Sequence, residues 1–413
     1  MRPNRLDRQL RIEGWNQHVL ENAKVGVVGD NDLLASFYLM SASALGINNI
    51  VVIAPDLNDT LIEIAKKINL HYTLTHVEGF YTHPVMAELF KGFNLIVDFS
   101  HYGLANKLLI EKGFRENIPI VRGFCYEKNG KQGLKVFSYL KGREWQKLEQ
   151  IVSTYNLPNN HFDDGVLDII IIGIVLEETK NLLMDQDVSD DLISYNRPNI
   201  KQSNDQPKIL TVGSGALGIF VGLGLAYSGF RNLTFIDPDT VEVTNLNRQV
   251  LFYDAIGNSK AETLTERLNS IFNMDNKAQV LYFDNDTDIA PYDVVFDCVD
   301  NFESRIVLSE KCKVRGKVLI SGGTSVDAGQ VVIYSPMKNG VTPAELLGLH
   351  DIVEARSPES YQRERAACIY QPDPSVIMTN QITAGFMVDS YRMLIDGQKP
   401  ENVFYDSTSP LRF

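Results

Sequence analysis

Residues 208–218, Lys208-Ile209-Leu210-Thr211-Val212-Gly213-Ser214-Gly215-Ala216-Leu217-Gly218, run from an apolar stretch into a glycine-rich turn. The stretch reads as a buried parallel strand, and the glycines permit a tight turn whose backbone N–H groups face a phosphate at a helix N-terminus. In such a unit an acid ends the second strand and holds the ribose. Asp237, in Ile236-Asp237-Pro238-Asp239, stands near the spacing of roughly 20 residues expected for that acid. Strand, turn and acid together predict a doubly wound α/β fold. By themselves they fit a nicotinamide- or flavin-dependent dehydrogenase as well as an enzyme that uses ATP.

The residues downstream bear on that choice. Asn245-Leu246-Asn247-Arg248-Gln249 is followed by Lys260 in Gly257-Asn258-Ser259-Lys260, and then by Asp297-Cys298-Val299-Asp300-Asn301. A pyrophosphate held by backbone alone needs no such set, whereas a triphosphate cleaved between its α and β groups needs fixed cations and a carboxylate for Mg²⁺. In order and spacing, the glycine loop, the Asp-x-Asp, the Asn-Arg-Gln box, the lysine and the Asp-Asn pair resemble the ubiquitin-activating enzyme superfamily. That superfamily includes the adenylyltransferases that activate the sulfur-carrier proteins of thiamine and molybdopterin synthesis. The resemblance covers most of residues 205–413. It implies that Gly213, Gly215, Ala216, Leu217 and Gly218 cradle ATP, that Asp237 binds the ribose, that Arg248 and Lys260 bind the phosphates and that Asp300 holds Mg²⁺. Asp239, Asn245, Gln249 and Asn301 would add polar contacts. The plainer alternatives are a solvated helix face for Arg248 and Lys260, and a helix N-cap for Asp300, which is compatible with metal binding.

The chain's 413 residues suffice for two domains, and the sequence repeats. Lys24-Val25-Gly26-Val27-Val28-Gly29 lines up with Lys208 to Gly213, Leu45 to Asp56 with Ser228 to Asp239, and Phe93 to Asp98 with Tyr292 to Asp297. The first copy has lost what a nucleotide needs. Asp30-Asn31-Asp32-Leu33-Leu34 replaces Ser214 to Gly218, which sets carboxylates and side chains against a phosphate, and Ala54 stands opposite Asp237. Residues 1–195 therefore read as a silent pseudo-domain, 196–206 as a linker and 207–413 as the active domain.

The first copy also begins with Arg5-Leu6-Asp7-Arg8-Gln9-Leu10-Arg11. This stretch resembles the N-terminal helix that in the superfamily crosses a dimer and places an arginine in the partner's ATP site. The resemblance implies that Arg8, helped by Arg11, completes the second copy's site, so that the chain is an internal pseudo-dimer and a monomer in solution. The alternative is a solvated amphipathic helix.

Before the polar stretch between the copies, Val166 to Leu176 is very apolar but too short to span a bilayer, and it reads as a buried helix packed between the halves. The chain opens on charged residues without an apolar signal core, so a cytoplasmic location is expected. The net charge of −13 argues against nucleic acid as the main partner.

None of the four cysteines forms a Cys-x-x-Cys pair, and no structural zinc is expected. Cys368, in Arg363-Glu364-Arg365-Ala366-Ala367-Cys368, occupies the place where the resemblance puts a thioester nucleophile, and Arg363 and Arg365 would favour its thiolate. A packed thiol is the alternative there, and Cys125, Cys298 and Cys312 read as structural. If Cys368 is that nucleophile, residues 340–365 would form a short insertion around it, and no ubiquitin-fold domain that recruits a conjugating enzyme is expected. The resemblance thus implies ATP- and Mg²⁺-dependent activation of a ubiquitin-like or sulfur-carrier protein ending in glycine, with a conjugating enzyme left open. The rival readings are an adenylyltransferase acting on a peptide or small carboxylate without a thioester, and an NAD-dependent dehydrogenase.

Overall fold

In the computed structural model the two sequence repeats become two sheets with one topology. The structure describes residues 4–30, 32–143, 149–158, 162–201, 206–338, 340–355, 373–409 and 412–413. The first half supplies β1 (Lys24–Gly29), β2 (Asn49–Ala54), β3 (Thr73–Glu78), β4 (Leu95–Phe99), β5 (Ile120–Lys128), β6 (Lys131–Tyr139) and β7 (Ile193–Pro198). The second supplies β8 (Ile209–Val212), β9 (Leu233–Ile236), β10 (Lys277–Gln279), β11 (Val294–Asp297), β12 (Val318–Thr324), β13 (Ala328–Tyr334) and β14 (Val403–Asp406). The orders are β3-β2-β1-β4-β5-β6-β7 and β10-β9-β8-β11-β12-β13-β14. In each sheet the first five strands are parallel, the sixth runs against them, and the seventh pairs antiparallel with the sixth. Strands β4, β8, β9 and β11 are buried at every residue, as continuous apolar runs covered on both faces must be.

Strand β7 reaches Pro198 and pairs with β6 through Arg197 and Asn196. The first sheet thus runs past residue 195 into the stretch read from its polarity as linker. Cross-strand pairing holds the stretch that its composition alone would leave loose.

The halves meet along two 19-residue helices, Gly165–Leu183 and Ile377–Ile395. The apolar stretch Val166–Leu176 lies in the first of these and is buried along its whole length, as expected. Small residues set the close crossing. A Cβ on Gly173 would lie 2.5 Å from Ile382 Cγ1, and one on Gly385 would lie 2.3 Å from Ile170 Cγ1. Ile170 and Gly173 stand as far from the start of their helix as Ile382 and Gly385 do from the start of theirs, so the contact is self-complementary, like that of a two-fold dimer. One apolar core runs through both halves from Leu20 to Tyr405.

Buried charges frame this seam. Arg197 pairs with Asp389 (2.9 Å) and Asp164 (3.1 Å), and Arg392 pairs with Asp164 (2.8 Å). Removing one member would strand the others, which for buried pairs costs about 3–5 kcal/mol. Among the described residues, no helix is long and apolar enough to cross a membrane.

Candidate active site

The site forms where the second sheet's strand order reverses, beyond the carboxyl ends of β8, β9 and β11. Gly213 leaves β8 at φ +96°, and a Cβ there would lie 2.5 Å from the Cys298 carbonyl. Gly218 packs equally close, since its Cβ would meet the Gly213 carbonyl at 2.0 Å. Gly215 differs: the nearest atom to its would-be Cβ is Gln249 Nε2 at 3.6 Å. Two glycines therefore close the turn, and the third leaves space in front of the helix Ala216–Tyr227. The Ser214 hydroxyl and Gln249 Oε1 are buried beside this turn and have no hydrogen-bond partner among the described residues. Unsatisfied buried polar atoms are costly, and a nucleotide seated here would satisfy them.

Asp237 ends β9 and is buried. Its Oδ2 accepts from the Ser214 N–H (2.6 Å) and its Oδ1 from the Asp239 N–H (2.9 Å). Burial pushes its carboxyl above the usual range, and Lys260 and these two N–H groups counter that only in part. Lys260 opens the helix Lys260–Phe272, capped by Ser259, and its Nζ donates to Asp239 Oδ2 at 2.9 Å. Asp239 thus serves as the anchor for Lys260.

Arg248 is buried. It donates from Nη1 to the Thr244 carbonyl (3.1 Å) and to Asn247 Oδ1 (2.8 Å), both neutral oxygens. Burial lowers its pKa to about 9, with Arg8 of the first half the next cause, while Asp300 and Glu242 oppose the shift. Arg8, Arg248 and Asp300 therefore share one electrostatic neighbourhood, although Arg8 belongs to the other half. Residues 9–11 form a 3₁₀ turn rather than the start of an α-helix, with Arg8 at its N-terminal edge. Arg8 Nη1 donates to the Asp373 carbonyl at 2.9 Å, and Arg11 pairs with Asp7 at 2.6 Å.

The acidic loop after β11 rules out the helix-cap alternative for Asp300. Asn301, not Asp300, caps the helix Phe302–Arg315, its Oδ1 accepting from the Ser304 N–H at 2.8 Å. Asp300 is left on the exposed side of the loop. Asn245 is likewise engaged locally, in a reciprocal cap with Glu242. Ala216 and Leu217 begin the helix that follows the glycine turn. Cys368, with Arg363 and Arg365, lies outside the described residues. Cys125, Cys298 and Cys312 are buried, and burial pushes the Cys312 thiol up to about 12 and the other two upward as well.

Three residues of the site carried no role in the sequence reading. Arg305 donates from Nη2 to the carbonyls of Val299 and Gly322, each at 2.7 Å, and sits 3.2 Å from buried Asp297. It fixes the loop that carries Asp300. Gln9 and Asn247 join the two halves. Their only sequence signal was that each neighbours an arginine in a motif.

A family model described as the ThiF family matches residues 193–407, just over half of the chain. The chain is 35% identical over 167 residues to a molybdopterin-synthase adenylyltransferase of Haemophilus influenzae, covering 37% of this chain and 69% of that protein. It is 34% identical over 132 residues to the adenylyltransferase and sulfurtransferase MOCS3 of Arabidopsis thaliana, covering 31% of this chain and 28% of the relative's length. Among solved structures, Escherichia coli MccB with the peptide MccA-N7isoASN is 20% identical with a TM-score of 0.42, covering 49% of this chain and 62% of that one.

Proposed function

The chain belongs to the ThiF family and is an enzyme of its adenylyltransferase type, and on that premise we propose that it uses ATP to adenylate the C-terminal carboxylate of a ubiquitin-like or sulfur-carrier protein ending in glycine. What supports ATP here is Arg248 of the second half, buried and held by the neutral oxygens of Thr244 and Asn247, with Arg8 of the first half near enough to lower its pKa. A triphosphate bound beside both guanidiniums would favour their charged forms.

The partner's carboxylate oxygen attacks the α-phosphorus, the bond to the β-phosphate oxygen breaks, and acyl adenylate and pyrophosphate result. The turn N–H groups around Gly215 face the phosphates at the start of a helix. Asp237 accepts from the ribose hydroxyls, so it must be ionised. Arg8, Arg248 and Lys260 offset the charge that builds on the leaving pyrophosphate. Asp300 would hold Mg²⁺, whose charge adds to theirs. In a second step the Cys368 thiolate displaces AMP from the acyl adenylate and leaves the carrier as a thioester. The chain acts as a cytoplasmic monomer, its two halves standing in for a dimer.

ATP–pyrophosphate exchange with Mg²⁺ and a glycine-ended carrier tests this reading. Exchange that is lost in Asp300→Ala and kept in Cys368→Ala is expected. A thioester-linked carrier that vanishes in Cys368→Ala would support the second step, and unchanged product there would leave adenylation alone. No exchange with any such carrier, together with NAD binding, would overturn the proposal.

A further inference from the structure

The side-chain amides of Gln9 and Asn247 link three segments that are remote in sequence. Gln9 Nε2 donates to the Leu45 carbonyl (2.8 Å), at the end of the first-half helix Asp32–Leu45, and to Gln17 Oε1 (2.6 Å). Gln9 Oε1 accepts from Asn247 Nδ2 at 3.2 Å. Asn247 Nδ2 also donates to the Ser375 carbonyl (2.9 Å), and its Oδ1 accepts from Arg248 Nη1 (2.8 Å). Gln9 and Asn247 are both fully buried. Two residues from Ser375, the Asp373 carbonyl accepts from Arg8.

We propose that Asn247 is a positioning residue, which couples the seating of residues 4–12 of the first half, and of 373–376, to the placement of the Arg248 guanidinium and so to ATP affinity. The inference rests on the ATP reading of the site. An amide is what this position requires. Its carbonyl holds the guanidinium without neutralising it, so Arg248 keeps a full charge for phosphate, while its NH₂ reaches the other half and the segment at 373–376. A carboxylate would pair with Arg248 and cancel that charge, and would also face the acceptors Gln9 Oε1 and Ser375 O without a proton to donate. A hydroxyl has only one hydrogen for two acceptors. Released from Asn247, the guanidinium would keep the Thr244 carbonyl and the opposed pulls of Arg8 on one side and Asp300 and Glu242 on the other, so its placement would no longer be fixed, and small misplacements of binding groups are expensive.

The test uses the full chain and the variants Gln9→Leu, Asn247→Leu and Asn247→Asp, with ATP binding by titration calorimetry, amide exchange of residues 244–252 in the free protein, and thermal unfolding. Gln9→Leu removes a group that lies outside the nucleotide site, yet about a tenfold loss of ATP affinity and faster exchange at 244–252 are expected from it. Asn247→Leu should do the same, and the double variant should be no weaker than the worse single one, because both break one chain of contacts. Asn247→Asp, which keeps size and shape, should bind ATP no better than Asn247→Leu. Lys260→Ala should weaken ATP without altering exchange at 244–252. Parent-like ATP affinity and parent-like exchange at 244–252 in Gln9→Leu and Asn247→Asp would overturn the coupling, as would losses that simply add. Failure of the parent to bind ATP would instead overturn the ATP reading, and the exchange response of 244–252 to Gln9→Leu would still decide the link between the halves.

Discussion

The two halves share a frame and differ at the places a ligand would touch. Strand registers set the equivalences: Val28 pairs with Ile53 and Asp98 in the first sheet as Val212 pairs with Ile236 and Asp297 in the second. Asp98 and Asp297 therefore occupy one position, and both are buried at the end of a central strand. Each is neutralised by an arginine, but from different elements. Arg122 of β5 lies 3.1 Å from Asp98 and Asn106 donates to it, whereas Ser321 takes the place of Arg122 in the second half, and Arg305 comes from the helix that corresponds to that of Asn106. Charge and neutral partner have changed places while the carboxylate stayed satisfied.

One residue beyond the shared glycine, Asp30 stands where the second half has Ser214, and His101 where it has Asp300. Asp30 is buried and accepts the His101 backbone N–H. A carboxylate from the chain itself lies where a phosphate loop would open, and a ring that can carry positive charge replaces the acid. The comparison teaches that the buried frame, which folding requires of both halves, is shared, and that the halves differ at the positions a ligand would face, where the proposed function needs only the second.

The sharpest check on a shared frame is the pair Asp98→Ala and Asp297→Ala. Each strands a buried arginine, and each should lower stability in urea by about 3–5 kcal/mol; a much smaller loss for Asp98→Ala would mean that the silent half carries little of the fold. Next comes the divergence. Asp300→Ala should lower ATP–pyrophosphate exchange by about 10²–10³-fold, whereas His101→Ala at the equivalent place should leave it within about twofold. Arg8→Ala should be the exception in the first half, with about a 10²-fold loss of exchange, and a normal rate would break the idea that one half completes the other.

A smaller effect separates the glycines. Gly215→Ala should keep the fold and lose about tenfold in ATP affinity, because its side chain enters the open space, whereas Gly218→Ala should cost about 1–3 kcal/mol of stability through its clash with the Gly213 carbonyl.

The smallest effect is on pH. Since burial raises the Asp237 carboxyl, its ionised form is disfavoured in the fold, and its drag on stability is felt above its folded pKa and vanishes as pH falls through it. Nucleotide affinity moves the other way and should begin to decline at a pH above the ordinary aspartate range. Asp237→Asn should bind more weakly and flatten that part of the profile in a calorimetric titration, and a profile unchanged by the substitution would assign the dependence elsewhere.

Much of this was written in short stretches of sequence. The run Lys208–Gly218, the acid Asp237 and the repeat of Lys24–Gly29 fixed two α/β units, because the period of buried strands and the backbone freedom of glycine are local properties. The loss at Asp30 and Ala54 was legible for the same reason. The cap offered as the alternative role of Asp300 falls on Asn301, since either Asp or Asn can cap and only the turn of the loop selects between them. The strand at 193–198 was missed because its sequence is polar and its pairing with β6 is tertiary.

By itself, then, the sequence determined the two sheets, the glycine turn and the set of charged residues from Asp237 to Asp300, all of which depend on neighbours within a few tens of residues. Only the tertiary structure decided that Arg8 comes within electrostatic reach of Arg248, that Gln9 reaches Asn247, that Arg305 holds the Asp300 loop and that Asp30 accepts the His101 N–H in the first half. These depend on two buried helices crossing at Gly173 and Gly385 and on which buried charge needs which partner, and local pattern carries no record of a contact between residues hundreds of positions apart.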